Sequence, residues 1–128
     1  MIKEQLSVFV ENRQGRLGNV LRVLQENDVN ILSMSLADTT EYGLFRLIVD
    51  KPEVGKEALT KSGYSCIVSE VLVLSIPHEP GSLHKIMQKI ATANIDVEYL
   101  YGLDTDGATA SVVVKTSDAK KAEKILVD

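Results

Sequence analysis

Leu6, Val8 and Val10 alternate with Gln5, Ser7 and Glu11, while Phe9 gives the second face apolar character too. This spacing predicts a strand buried on one face and partly covered on the other. Asn12, Arg13, Gln14 and Gly15 interrupt it. Leu17, Val20, Leu21 and Leu24 then follow at i, i+3, i+4 and i+7, a one-sided helix that ends near Asn27 and Asp28. Two further strands are expected over residues 29–36 and 43–49, joined by a hairpin connection across residues 38–43. Lys51 and Pro52 stop the third strand and open a second helix whose inner face is Val54, Ala58 and Leu59. Ser62 and Gly63 end that helix, and residues 64–68 make a fourth strand. The order is βαββαβ.

The same pattern then starts again. Residues 71–83 repeat the apolar run, polar break, Gly and helix-opening Leu of residues 5–17. Val20/Ile86, Leu21/Met87, Leu24/Ile90, Val29/Ile95, Ile31/Val97 and Met34/Leu100 all keep that offset. A strand over 71–76 leads to a helix over 83–93 with Leu83, Ile86, Met87 and Ile90 inward. Strands over 95–102 and 108–115 form a hairpin across residues 104–107. Ser117 reads as the N-cap of a last helix carrying Ala119, Ala122, Ile125 and Leu126. This second copy lacks a counterpart of the strand at 64–68. No Pro-, Gly- or Ser-rich linker separates the copies, so the last strand of copy one is expected to run almost directly into the first of copy two. The chain therefore reads as α+β, with domains over residues 1–70 and 71–128.

Each half is roughly 60–65 residues, a size at which folding alone is marginal, so the halves are expected to pack together and the chain to dimerise. The unpaired strand at 71–76 adds to that expectation, because open strand edges invite pairing. The net charge is −4 and the 14 Lys and Arg are dispersed, without the basic footprint of a nucleic-acid binder. With no Trp, four Tyr and two Phe, a base-stacking platform would be poor. No apolar stretch approaches the roughly 18 residues of a membrane span, and no signal peptide is evident after Met1. The single Cys66 cannot form an internal disulfide, so a cytoplasmic location is expected.

Catalytic and metal-binding patterns are missing. His78 and His84, the only histidines, lack a third ligand at a recognisable spacing. Asp104 to Gly107 echoes the opening of a calcium loop without its closing acid. Gly15 and Gly18 after a strand do not meet the dinucleotide fingerprint, and a hairpin follows instead of a crossover. No nucleophile–base constellation stands out. The expectation is a non-enzyme with no metal and no cofactor.

The strand-to-helix breaks resemble the ACT domain family of small-molecule regulatory modules, whose pattern there is close to Asp-x-Pro-Gly-x-Leu. Copy one reads Asn12, Arg13, Gln14, Gly15, Arg16, Leu17, and copy two His78, Glu79, Pro80, Gly81, Ser82, Leu83. With Glu11, the first loop is similar to the Glu-Asn-Arg-Pro-Gly of the serine-sensing ACT domain of phosphoglycerate dehydrogenases. The Val29, Asn30, Ile31 run matches that domain's second Asn, at the start of its second strand. The resemblance covers nearly the whole chain as a tandem pair and implies two ferredoxin-like units, each with an antiparallel sheet carrying helices on one face. Gln14 replaces the usual Pro, which leaves the first loop less rigid. His78 and Asp96 replace the two Asn in copy two, so equal affinities are not expected and copy one is the better candidate.

What the resemblance implies is a free amino acid or related metabolite held at an interface, with Asn12 and Asn30, followed by Ile31, on opposite walls of a shared pocket. The chemistry suits it. A loop opening a helix offers free backbone N–H groups to a carboxylate, Gly15 permits close approach, and an Asn amide both donates and accepts. Asn12 and Asn30 also read as plain turn residues. The alternative function is a ligand-independent assembly or regulatory subunit of a separate metabolic enzyme.

Overall fold

The computed structural model describes residues 1–11, 15–38 and 42–126, with only the backbone of Asp38 and Tyr42. The elements are β1 (Ile2–Glu11), α1 (Arg16–Glu26), β2 (Ile31–Asp38), β3 (Tyr42–Val49), α2 (Pro52–Lys61), β4 (Ser65–Pro77), α3 (Ser82–Thr92), β5 (Val97–Asp106), β6 (Thr109–Thr116) and α4 (Ala119–Leu126). The two strands expected around residues 64–76 are one uninterrupted β4. Two compact units result, one of Glu4–Ser69, the other of Glu70–Asp128 together with Met1–Lys3.

In the first unit the strand order is β2-β3-β1-β4. β3 is antiparallel to both neighbours, with Val8 opposite Phe45 and Phe45 opposite Leu36. Leu6, Val8, Val10, Phe45, Leu47 and Val49 line the helix-covered face and meet Val20, Val23 and Leu24 of α1 and Ala58 and Leu59 of α2. Two details depart from the periodicity. Leu21 is exposed and Val23 is buried in its place; on α2, Val54 is exposed and Gly55 buried. A Cβ on Gly55 would sit 3.1 Å from Leu6 Cδ1 and 3.5 Å from Leu24 Cδ2, so the missing side chain is what lets α2 approach this closely.

In the second unit β6 pairs antiparallel with both β4 and β5, and Leu72, Ile90, Ile95, Val114 and Ala122 form the core. No strand follows α4 among the described residues. Its place beside β4 is taken by the first residues of β1. Val73 N–H donates to Met1 O at 2.8 Å, and the Met1 amino group donates back to Val73 O at 3.3 Å. That reciprocal exchange is the signature of an antiparallel pair, and Ile2 packs on the second core. The strand edge expected to lie open at 71–76 is therefore paired at Val73 within the chain, and it no longer argues for a second copy.

The last helix starts one residue later than Ser117 suggested. Asp118 Oδ1 accepts from Lys121 N–H at 3.1 Å, the N-cap geometry, while Ser117 Oγ accepts from Asp96 N–H at 3.1 Å. Asp118→Ala is expected to cost about 1 kcal/mol, read as a lower urea midpoint at unchanged slope; an unaltered midpoint would place the cap elsewhere.

Candidate functional site

Both strand-to-helix loops end on a glycine in the left-handed region, Gly15 at φ 84° and Gly81 at φ 90°, each immediately before its helix. Such φ values favour glycine because an L side chain there meets its own carbonyl. Neither N-cap supplies a side-chain hydrogen bond to the helix. A helix start is the positive end of the helix dipole, a setting suited to an anion; in α3 the first amide, Ser82 N–H, is already taken by Glu79 O.

Asn12, Arg13 and Gln14 lie outside the described residues. Arg16 and Leu17 open α1, with Leu17 half-buried against the first core. A cleft of about 290 Å³ opens here, walled by Phe9, Glu11, Arg16 and Tyr64 and floored by the turn at residues 62–65. Arg16 Nη2 stands 3.5 Å from Glu11 Oε1. Tyr64 is held from above, its Oη accepting from Asn19 Nδ2 at 2.6 Å, and Asn19 Oδ1 accepts in turn from Arg22.

The counterpart in the second unit is a cleft of about 370 Å³ that gathers His78, Glu79, Pro80, Ser82 and Leu83 beside Ile76 and Ala110. His78 N–H donates to Ala108 O at 2.8 Å and Ser82 N–H to Glu79 O at 3.3 Å. His78 is exposed, and among the described residues no three His, Cys, Asp or Glu side chains gather as a metal site. Cys66 is half-buried; desolvation pushes its thiol up, and Lys56 offsets this only in part. A raised pKa disfavours the reactive thiolate, so Cys66 behaves as a small packing residue.

Asn30 and Ile31 sit elsewhere. They line a different cleft of about 380 Å³ with Leu21, Gln25, Asp28 and Asp50. α1 has 11 residues, about 16 Å at 1.5 Å per residue, and the loop at Gly15 lies at one end with Asn30 beyond the other. Within one unit the two sets do not meet. The same separation holds between the 78–83 loop and Asp96 across α3.

Each β-start is instead clamped to the residue that follows the neighbouring strand. Asn30 N–H donates to Asp50 Oδ1 at 2.8 Å while Asp50 N–H donates to Asn30 O at 3.1 Å. Asp96 N–H donates to Ser117 Oγ at 3.1 Å and Ser117 N–H to Asp96 O at 2.9 Å. Asp50 was not singled out from the sequence and Ser117 was read only as a helix cap; the offset that pairs Asn30 with Asp96 sets Asp50 against Thr116, so the repeat alone does not match the two clamps. Phe9 and Glu11 at the end of β1, and Tyr64 just before β4, were also missed as cleft residues, because only folding brings those two segments together.

The sequence model of the ACT domain pair matches residues 1–128. The chain belongs to the ACT domain pair family. The ACT pair is similar to a Bacteroides thetaiotaomicron protein of known structure, at 30% identity and a TM-score of 0.93, over 99% of this chain and 88% of the other. It shares its fold with the ligand-free regulatory subunit of aspartate kinase from Thermus thermophilus, at 18% identity and a TM-score of 0.72 over 99% and 93% of the two chains. The same regulatory subunit from Thermus flavus superposes with a TM-score of 0.64 at 17% identity, over 99% and 92%. No curated protein matches the ACT pair by sequence. Among its described residues no helix is long and apolar enough to cross a membrane.

Proposed function

We propose that this ACT pair is a non-catalytic regulatory protein that binds a free amino acid or related small metabolite between copies and passes the change to a metabolic enzyme. The observation that carries the reading is the separation of Asn30 from the loop at Gly15 by the full length of α1. Two half-sites at opposite ends of a helix form one pocket only when a second copy brings its loop to Asn30, so ligand binding and dimerisation are linked. β2, at the sheet edge of the first unit, supports a partner copy there: Leu32, Met34 and Leu36 are exposed beside Asn30, as is Leu21 on α1. Similarity in fold to regulatory subunits of aspartate kinase supports an enzyme as the downstream partner. A cytoplasmic site of action fits the free thiol of Cys66.

Asn30→Ala tests the reading cleanly, because the clamp to Asp50 uses only the backbone of Asn30. A thermal-shift screen of the twenty amino acids is expected to give a selective stabiliser, worth about 2.7 kcal/mol at 100 times its Kd. Asn30→Ala should weaken that response at least tenfold, and Asn12→Ala likewise. A ligand response indifferent to both, or a monomer by light scattering with ligand bound, would remove the interface pocket. Silence across the panel together with retained enzyme capture would favour the assembly-only role.

A further inference from the structure

We infer that the groove between α3 and α4 is a docking surface for an acidic, amphipathic helix of a protein partner. It lies wholly in the second unit, lined by Lys85, Gln88, Lys89, Thr92, Ala93 and Ile125, and at about 640 Å³ it is larger than either loop cleft. The inference rests on the regulatory reading only in taking that partner to be the regulated enzyme; the surface itself owes nothing to the amino-acid pocket.

The repeat departs from itself here. At the shared offset, Lys85 and Lys89 stand where α1 has Asn19 and Val23. Asn19 is bonded to Tyr64 and Val23 is 5% exposed, so the first unit uses both positions for packing. In α3 both are exposed lysines, one turn apart on the groove side of the helix.

Charge selects the sign of the partner. Of the chain's 14 basic and 18 acidic residues, five lysines and three acids fall in α3 and residues 118–128, leaving nine against fifteen elsewhere. Two of those three acids are already engaged: Asp118 Oδ1 accepts from Lys121 N–H, and Glu123 faces the Met1 amino group at 3.4 Å. Lys121 Nζ reaches the carbonyl of Ala93 at 3.1 Å, which sets it on the groove side of α4. Among the described residues, Lys85, Lys120 and Lys124 enter no hydrogen bond or ion pair. A basic helix layer on an otherwise acidic chain attracts an acidic surface and repels a second copy of the remaining chain.

Shape then selects a protein helix over a lipid surface. None of the large apolar side chains that stand exposed lies on α3 or α4 among the described residues, so nothing there could enter a bilayer. The apolar surface is recessed instead, formed by Ala93, Ile125 and the aliphatic stems of Lys85 and Lys89. The partner must therefore supply the protruding apolar side chains, with carboxylates beside them to meet the lysine heads. A helix with one leucine stripe flanked by glutamates does both.

Fluorescence anisotropy on the full chain tests this, with a labelled helical peptide bearing Leu along one face and Glu elsewhere. The peptide is expected to bind, and to weaken as salt rises. A scrambled peptide of the same composition and a Leu-free Glu peptide should each bind at least tenfold more weakly. Lys85→Glu combined with Lys124→Glu should cost at least tenfold, as should Gln88→Trp, which fills the groove from an exposed position. Lys56→Glu on α2 should leave binding unchanged. No binding of the peptide, binding indifferent to the groove variants, equal binding of the Leu-free peptide, or a preference for phosphatidylserine vesicles each overturns the inference and leaves the amino-acid reading standing. Peptide binding as expected, without any response to the twenty amino acids, supports the docking surface while removing that reading.

Discussion

Replacing Leu24 by alanine is expected to lower the unfolding free energy by about 2–5 kcal/mol. Leu24 is 1% exposed and sits where α1 meets α2 and β1. Its Cδ2 lies beside Gly55, a residue with no side chain that could swing into the vacated space. Truncation therefore leaves a cavity whose walls, Leu6 and Val29, belong to other elements and relax only with a shift of the backbone. Leu21→Ala, three residues earlier on the same helix, should stay within about 0.5 kcal/mol because Leu21 is exposed. Urea unfolding followed by circular dichroism reads both. A Leu24→Ala loss below 1 kcal/mol, or equal losses at the two positions, would contradict this helix orientation. If the exposed Leu21 lies under a second copy, its loss should appear in dimer dissociation rather than in the unfolding of the unit.

The second large effect is expected at Ile2. Ile2→Asp places a carboxylate against the Leu72, Ile90 and Val114 core, in a strand segment joined to β4 by the Met1–Val73 pair. The half-buried side chain loses about 1 kcal/mol of apolar contact, and desolvating the new charge costs more. The local outcome is detachment of the first residues of β1, at a cost of about 2 kcal/mol or more. The vacated edge of β4 then has exposed backbone donors and acceptors, and self-association should rise with concentration in sedimentation velocity. Wild-type stability with unchanged sedimentation would mean that the second unit does not depend on these residues.

The repeat, the order of the elements apart from the fusion of two expected strands into β4, and both loop glycines were legible because each has a local signature: period two, period 3.6, or a polar break with Gly. The misreadings share a cause. Leu21 and Val23 lie on opposite flanks of the stripe formed by Leu17, Val20 and Leu24, and hydropathy cannot say which flank the neighbouring helix will cover. Gly55 carries no apolar signal, yet it is buried because close helix contact needs the smallest residue there. Ser117 and Asp118 are both good caps, and only the competing demand of Asp96 N–H for Ser117 Oγ separates them. The fourth strand of the second unit could not be read at all. It lies 72 residues away in sequence, and its pairing is written in no local pattern. Of the candidate site, the loop residues were visible, while Asp50, Glu11 and Tyr64 acquire their roles only through neighbours that folding supplies. The separation of Asn30 from Gly15, by contrast, follows from the predicted helix length alone.

The shared use of β1 also sets an order of events during synthesis. The first unit has all its strands once residue 69 has left the ribosome, and domains generally fold as units from the N-terminal end. Met1 to Lys3 are made before the rest of that unit, but their partner Val73 arrives only after the unit is complete. These early-made residues are thus among the later ones to find their place. Until then they form an unpaired strand segment, and in a polysome the nearest waiting acceptor can belong to a neighbouring copy.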